Sequence, residues 1–139
     1  MKSILYLACF LFLIIGCDNN DGDDDITEGV GQYNMIMMDG SDVPGVFTDN
    51  AGNELVLAGG ELVIRDDGRY FLEISVVVDL VDETVSVSGD YSLSGQSLTL
   101  ENGITGTYDG ADKIELSYPI VGLSHLFTFD KSSVFERPQ

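Results

Sequence analysis

The side chains in this sequence that could do covalent or metal chemistry are few: one His, two Cys and 24 carboxylates in 139 residues. His125 is the single imidazole, so any Ser-His-Asp or Cys-His arrangement has to run through it, with Ser124 or Ser97 as the candidate hydroxyl. Ser124 is its chain neighbour and on a strand would point to the opposite face, and no Gly-x-Ser-x-Gly elbow occurs. A zinc centre draws three or four ligands from His, Cys and carboxylates, a set that one His and no available thiol supply poorly. Carboxylates are paired, as glycoside hydrolysis requires, at Asp66-Asp67, Asp82-Glu83 and Asp109/Asp112. Each pair falls in a predicted turn, where acids are ordinary solvated residues. The expectation is a protein that is not an enzyme and carries no metal or cofactor.

The sharper chemistry lies near the N-terminus. Lys2 precedes an apolar stretch of twelve residues, Ile4 to Ile15, too short to span a bilayer but matched to the h-region of an export signal. The stretch closes with Leu13-Ile14-Ile15-Gly16-Cys17, which resembles the lipobox of bacterial lipoproteins. The resemblance implies cleavage before Cys17, diacylation of its sulfur and removal of residues 1–16. A rival cut before Cys9 would leave Phe10 to Ile15 as an apolar stub. With Cys9 gone and Cys17 lipidated, the mature chain has neither a disulfide nor a free thiol, so its domain must be held by its core alone. At roughly 0.8 kcal/mol per buried methylene, two or three acyl chains make a lasting anchor. The implied localisation is the bacterial cell envelope, on the outer membrane.

Residues 17–28 form the linker, in which Asp18 to Glu28 carries six acids and no base. Like charges hold such a run extended. Its register does not fit a calcium loop: a loop starting at Asp21 has Ile26 where Gly is needed, and one starting at Asp18 has Gly29 where Glu is needed. The run resembles the acidic export signals of surface lipoproteins in Bacteroidetes-type bacteria, whereas Asp directly after the Cys resembles the inner-membrane retention signal of enteric bacteria. A formal charge of -18 leaves nothing to neutralise phosphates, which excludes nucleic acid as a partner.

From Gly29 to Arg137 the chain alternates with period two and is punctuated every eight to twelve residues by Gly, Asp and Asn, predicting an all-β domain. Strands are expected at Gln32 to Met38, Glu54 to Leu57, Glu61 to Arg65, Tyr70 to Val81 and Thr84 to Leu93. Further strands are expected around Leu98 and Leu100, Ile104 and Tyr108, Ile114 to Tyr118, and His125 to Lys131. Asp39 to Asn53 reads as loop. Asn102-Gly103 is the strongest hairpin signal, and Asp67-Gly68, Ser94-Gly95 and Asp109-Gly110 act in the same way. A weak repeat aligns Gly89-Asp90-Tyr91 and the strand after it with Gly106-Thr107-Tyr108 and the strand after that. Hairpin-by-hairpin order predicts an up-and-down antiparallel meander of about eight strands closing into a small barrel, which removes exposed edges. An immunoglobulin-like sandwich is the rival.

Gly31-Gln32-Tyr33 at the first strand, the successive Gly-x-Tyr strands and a closing Phe127-Thr128-Phe129 resemble the lipocalin-like domains of bacterial lipoproteins. Lipocalins proper have Trp where this chain has Tyr33, and a late Arg that packs across it; the late Arg here, Arg137, lies past the final expected strand. The resemblance implies a barrel interior lined by Met35, Met37, Leu72, Ile74, Tyr91, Tyr108, Phe127 and Phe129, where two Met suit a pliable apolar pocket. An eight-stranded barrel either fills with its own side chains or holds one small ligand. Two functions follow. One is a membrane-anchored, non-catalytic binding module for a small apolar or amphipathic ligand; the other is a filled structural lipoprotein that contacts another envelope component through loops such as Asp39 to Asn53.

Overall fold

The computed structural model describes residues 28–48, 52–120 and 122–132. Cys17, the signal segment and residues 17–27 of the acidic linker lie outside the described residues. Among the described residues ten strands form: β1 (Gly31–Met38), β2 (Ser41–Asp42), β3 (Gly45–Thr48), β4 (Glu54–Ile64), β5 (Arg69–Val78), β6 (Val81–Ser94), β7 (Ser97–Leu100), β8 (Thr105–Tyr108), β9 (Lys113–Ile120) and β10 (Leu123–Lys131). From β4 to β10 each strand pairs antiparallel with the next, β10 pairs with β1, and β1 pairs with β4 through Gly31–Asn34 against Glu61–Ile64. The result is a closed eight-stranded antiparallel barrel of the small, lipocalin-like kind, as the alternation and turn spacing predict, and a single closed sheet excludes the sandwich.

Closure is partial toward one end, where β6 runs from Val81 to Asp90 paired with β5 alone and the β1–β4 seam parts. Beyond Asn34, β1 and β4 part company, and the edge each one exposes is taken by β2 and β3 respectively. The stretch Asp39 to Asn53 therefore corrects the sequence reading, because Ser41–Asp42 and Gly45–Thr48 within it are strands that line the gap between two diverging barrel staves. Val46-Phe47 alternates too briefly to signal this, and the pairing is set by contacts distant in sequence. Two bulges correct the reading further. One at Ala58 lets Glu54 to Ile64 run as a single bent strand where two were expected. The other, at Ile36, shifts the inward face of β1 by one residue. Met38 then pairs with Phe127 and is 0% exposed, while Met37 pairs with Thr128 and is only half buried. The expected strand Tyr70 to Val81 is likewise divided, by a two-residue turn at Asp79 (φ 51) and Leu80 (φ 66) that carries no Gly or Asn to announce it.

Inward positions build one core from all eight staves, with Tyr33, Leu57, Leu62, Ile74, Leu116, Phe127 and Phe129 fully buried among others. The two ends of the barrel differ. At the root, where β1 begins and β10 finishes, three tyrosine hydroxyls donate to backbone carbonyls: Tyr33 to Gly29 (2.7 Å), Tyr91 to Arg65 (2.8 Å) and Tyr108 to Ala111 (2.9 Å). These are the tyrosines of the Gly-x-Tyr repeats. Each glycine lies two residues away on the same face, where a side chain would collide: with Lys131 at Gly31, with Glu101 at Gly89, and with the Glu115 carbonyl and Leu116 at Gly106. The repeat thus reads physically as a bulky ring beside a place with no room. Lys131 sets its ammonium 5.8 Å from the Tyr33 ring centre.

Candidate functional site

The opposite end, the mouth, is where β1, β5 and β9 finish and β4 and β10 begin. Phe47 on β3, Leu55 on β4 and Val78 on β5 sit in one register row and face inward, because Phe47 pairs with Leu55 and Leu55 with Val78. They form one wall. Ile120 and Leu123, on either side of the β9–β10 turn, form the other, and Met38 lies between the walls. These apolar groups enclose a cleft of about 160 Å³ that opens to solvent. A cavity of roughly 150 Å³ lined by aliphatic groups holds one benzene, so this cleft has room for a single ring or a short alkyl chain. Thr48, Asn53, Glu54, Asp39 and His125 give it a polar rim.

The rim is held by one side chain from the β1–β2 turn. Asp39, at a positive φ, receives the Leu126 N–H on Oδ1 (2.8 Å) and the His125 Nδ1 on Oδ2 (2.7 Å), and its own N–H donates to the Leu126 carbonyl (2.8 Å). Burial works to raise the Asp39 pKa, but the hydrogen bonds from His125 and Leu126 and the nearby His125 charge outweigh it and hold the carboxyl below its ordinary value. An ionised carboxylate can only accept, so the imidazole Nδ1 carries the proton, and in the neutral ring Nε2 is the acceptor. His125 also tilts against Phe127, with ring centres 6.3 Å apart. It lies two residues before Phe127 on β10.

The Asp–His pair has the geometry of two members of a catalytic triad. The serines considered as its nucleophile are elsewhere. Ser124 Oγ lies 2.8 Å from Ser117 Oγ on the outer face, and Ser97 begins β7 at the root. The paired carboxylates all sit in turns or at a strand start. Asp67 pairs with Arg65 (3.1 Å) and accepts the Arg69 N–H; Asp109 accepts the N–H groups of Ala111, Asp112 and Lys113, which hold its pKa down; Asp82 and Glu83 open β6. Among the described residues no group of three or more His, Cys or carboxylates is placed to hold a metal ion.

The eight interior positions named from the sequence separate in the structure. Met35, Leu72, Ile74, Phe127 and Phe129 are buried in the middle of the barrel, Tyr91 and Tyr108 cap the root, and Met37 is turned to the other face. None of them lines the mouth cleft. Tyr108 borders a polar hollow at the root with Gln96, Thr107, Asp109, Lys113 and Glu115. The sequence reading missed the cleft residues Phe47, Leu55, Val78, Ile120 and Leu123. The one available signal was the length of Asp39 to Asn53, which singles out that segment as functional without saying that it walls a cleft.

The fold and site together define a small closed antiparallel barrel with a plugged root and an apolar cleft at its mouth. In comparison with known proteins, the chain matches no family model, no curated sequence and no solved structure.

Proposed function

We propose that this chain is a lipid-anchored envelope lipoprotein of the bacterial outer membrane, held by acyl chains on Cys17, whose barrel is a non-catalytic binding module for a small apolar or amphipathic ligand. The observation that carries the binding reading is the mouth cleft: apolar on its walls, polar along its rim, with Asp39 of that rim hydrogen-bonded to His125 and Leu126 of β10. The ligand seat in this reading is the open end of the barrel, with the interior candidates Met35, Leu72, Ile74, Phe127 and Phe129 buried beneath it. The lipobox-like Leu13 to Cys17 run supports the anchor, and the acidic linker supports a spacer between membrane and barrel.

Mass spectrometry of the full-length gene product purified from its own membranes tests both halves. A denatured mass equal to the chain from Cys17 plus acyl groups, lost in Cys17→Ala, is expected for the anchor. A further defined mass seen only under native conditions, and lost in Leu55→Asp, is expected for the ligand. A native mass equal to the denatured one, with no shift on adding hydrophobic probes, would refute the binding module and leave a barrel that acts through its surface.

A further inference from the structure

Building on the mouth cleft as ligand seat, we infer that its ligand is cationic: an alkyl or aryl group carrying an ammonium, not a fatty acid or another anionic amphiphile. The argument starts with the distribution of charge. Among the described residues there are four Lys and Arg, and all lie at the root: Arg65 and Arg69 at the β4–β5 turn, Lys113 at the start of β9, and Lys131 at the end of β10. None lines the cleft. The mouth instead carries Asp39 and Glu54 in the cleft rim, Asp42 at the end of β2, Asp79 in the β5–β6 turn, and Asp82 and Glu83 at the start of β6. His125 is the one basic group at the cleft, and its Nδ1 is committed to Asp39.

An apolar group seated between Phe47, Leu55 and Leu123 would bring its polar head to the rim, where it meets two carboxylates. Carboxylate oxygens have several acceptor positions each, so Asp39 can receive an ammonium while it still holds Leu126 and His125. A carboxylate head in the same place would face Asp39 and Glu54 over a low-dielectric wall, where repulsion is stronger than in water, and His125, the one basic group in reach, already has its Nδ1 bonded to Asp39. The field of the whole mouth acts in the same direction and concentrates cations there.

The test uses the full-length chain with its cleft residues unaltered, in zwitterionic vesicles, and reads occupancy by isothermal titration calorimetry against protein-free vesicles. Benzylammonium, benzyl alcohol and benzoate share the ring and differ in head charge. Benzylammonium is expected to bind about tenfold or more tighter than benzoate at low salt, the preference shrinking as salt screens it and falling severalfold in Glu54→Gln. Glu54 is exposed at a strand start, and Leu55→Asp serves as the negative control for binding in the cleft. Benzoate binding as tightly as benzylammonium overturns the charge assignment and leaves the binding module standing. Failure of all three to bind overturns the module itself, and the ligand class with it.

Discussion

Met37 and Met38 are adjacent and so face opposite sides of β1, and the bulge at Ile36 decides which of them points inward, which makes them a direct test of the strand register. Met38→Ala removes three buried heavy atoms from a side chain with 0% exposure. At roughly 0.8 kcal/mol for each methylene-sized group, the transfer loss is about 2.4 kcal/mol. The space left behind adds to this at about 24 cal/mol per Å³, but Met38 borders the open cleft, so part of that volume is simply gained by solvent. The expected cost is about 2.5–3.5 kcal/mol, or a fall in thermal midpoint of roughly 10 °C or more for a domain of this size. Met37→Ala, from the half-buried opposite face, should cost no more than about 1 kcal/mol. Urea unfolding followed by far-ultraviolet circular dichroism measures both. If Met37→Ala costs as much as Met38→Ala or more, β1 has no bulge at Ile36, and Met37 faces the interior as plain alternation would have it.

Two further predictions concern the turn at the mouth and the tyrosines. Leu80 is 97% exposed at φ 66, so Leu80→Gly loses no packing and relieves left-handed strain, with a net gain of about 0.5–1 kcal/mol after glycine's own entropy cost. A rise of a few degrees in thermal midpoint is expected; a fall would mean that Leu80 packs against something. Burial is the first cause that raises the pKa of Tyr33, Tyr70, Tyr91 and Tyr108, with nearby acidic or phenolic groups adding to it. A group whose folded pKa lies above its unfolded value gives its full stability below the unfolded value and loses it as pH rises. The urea midpoint should therefore hold up to about pH 10 and fall beyond it, less steeply in Tyr33→Phe. A midpoint unchanged through pH 12 would refute the burial of these hydroxyls.

What was legible in the sequence was whatever is encoded locally. Asn102 (φ 74) and Gly103 (φ 78) both take the positive φ that their residue types predict, and from Val85 onward β6 packs Val85, Val87, Tyr91 and Leu93 against the core, as the alternation predicts. What was not legible depends on a partner strand. The bulge at Ile36 exists because Met35 and Met37 pair with adjacent residues of β10, Phe129 and Thr128, almost a hundred positions away. The Asp79-Leu80 turn is imposed by the β5–β6 ladder on residues that do not favour it. The mouth cleft has the same origin. Phe47 and Leu123 look unremarkable one at a time and become a site only when the β1–β4 seam opens and the β9–β10 turn closes over it. Asp39 and His125 are 86 residues apart, and no spacing rule joins them.

The placement of the cleft at the mouth, away from the root where the chain leads into β1, bears on how a ligand would arrive. A linker of twelve residues, fully extended, reaches about 40 Å, and it would join the barrel at the end farthest from the cleft. An anchored barrel would then stand with its opening toward the compartment and its tyrosine plug toward the lipid. Loading would proceed by three-dimensional diffusion from the aqueous side, not by lateral transfer out of the leaflet that holds the anchor. Shortening the linker would bring the plug closer to the headgroups without changing access to the cleft, so in the proposed lipoprotein capture and tethering would be mechanically separate.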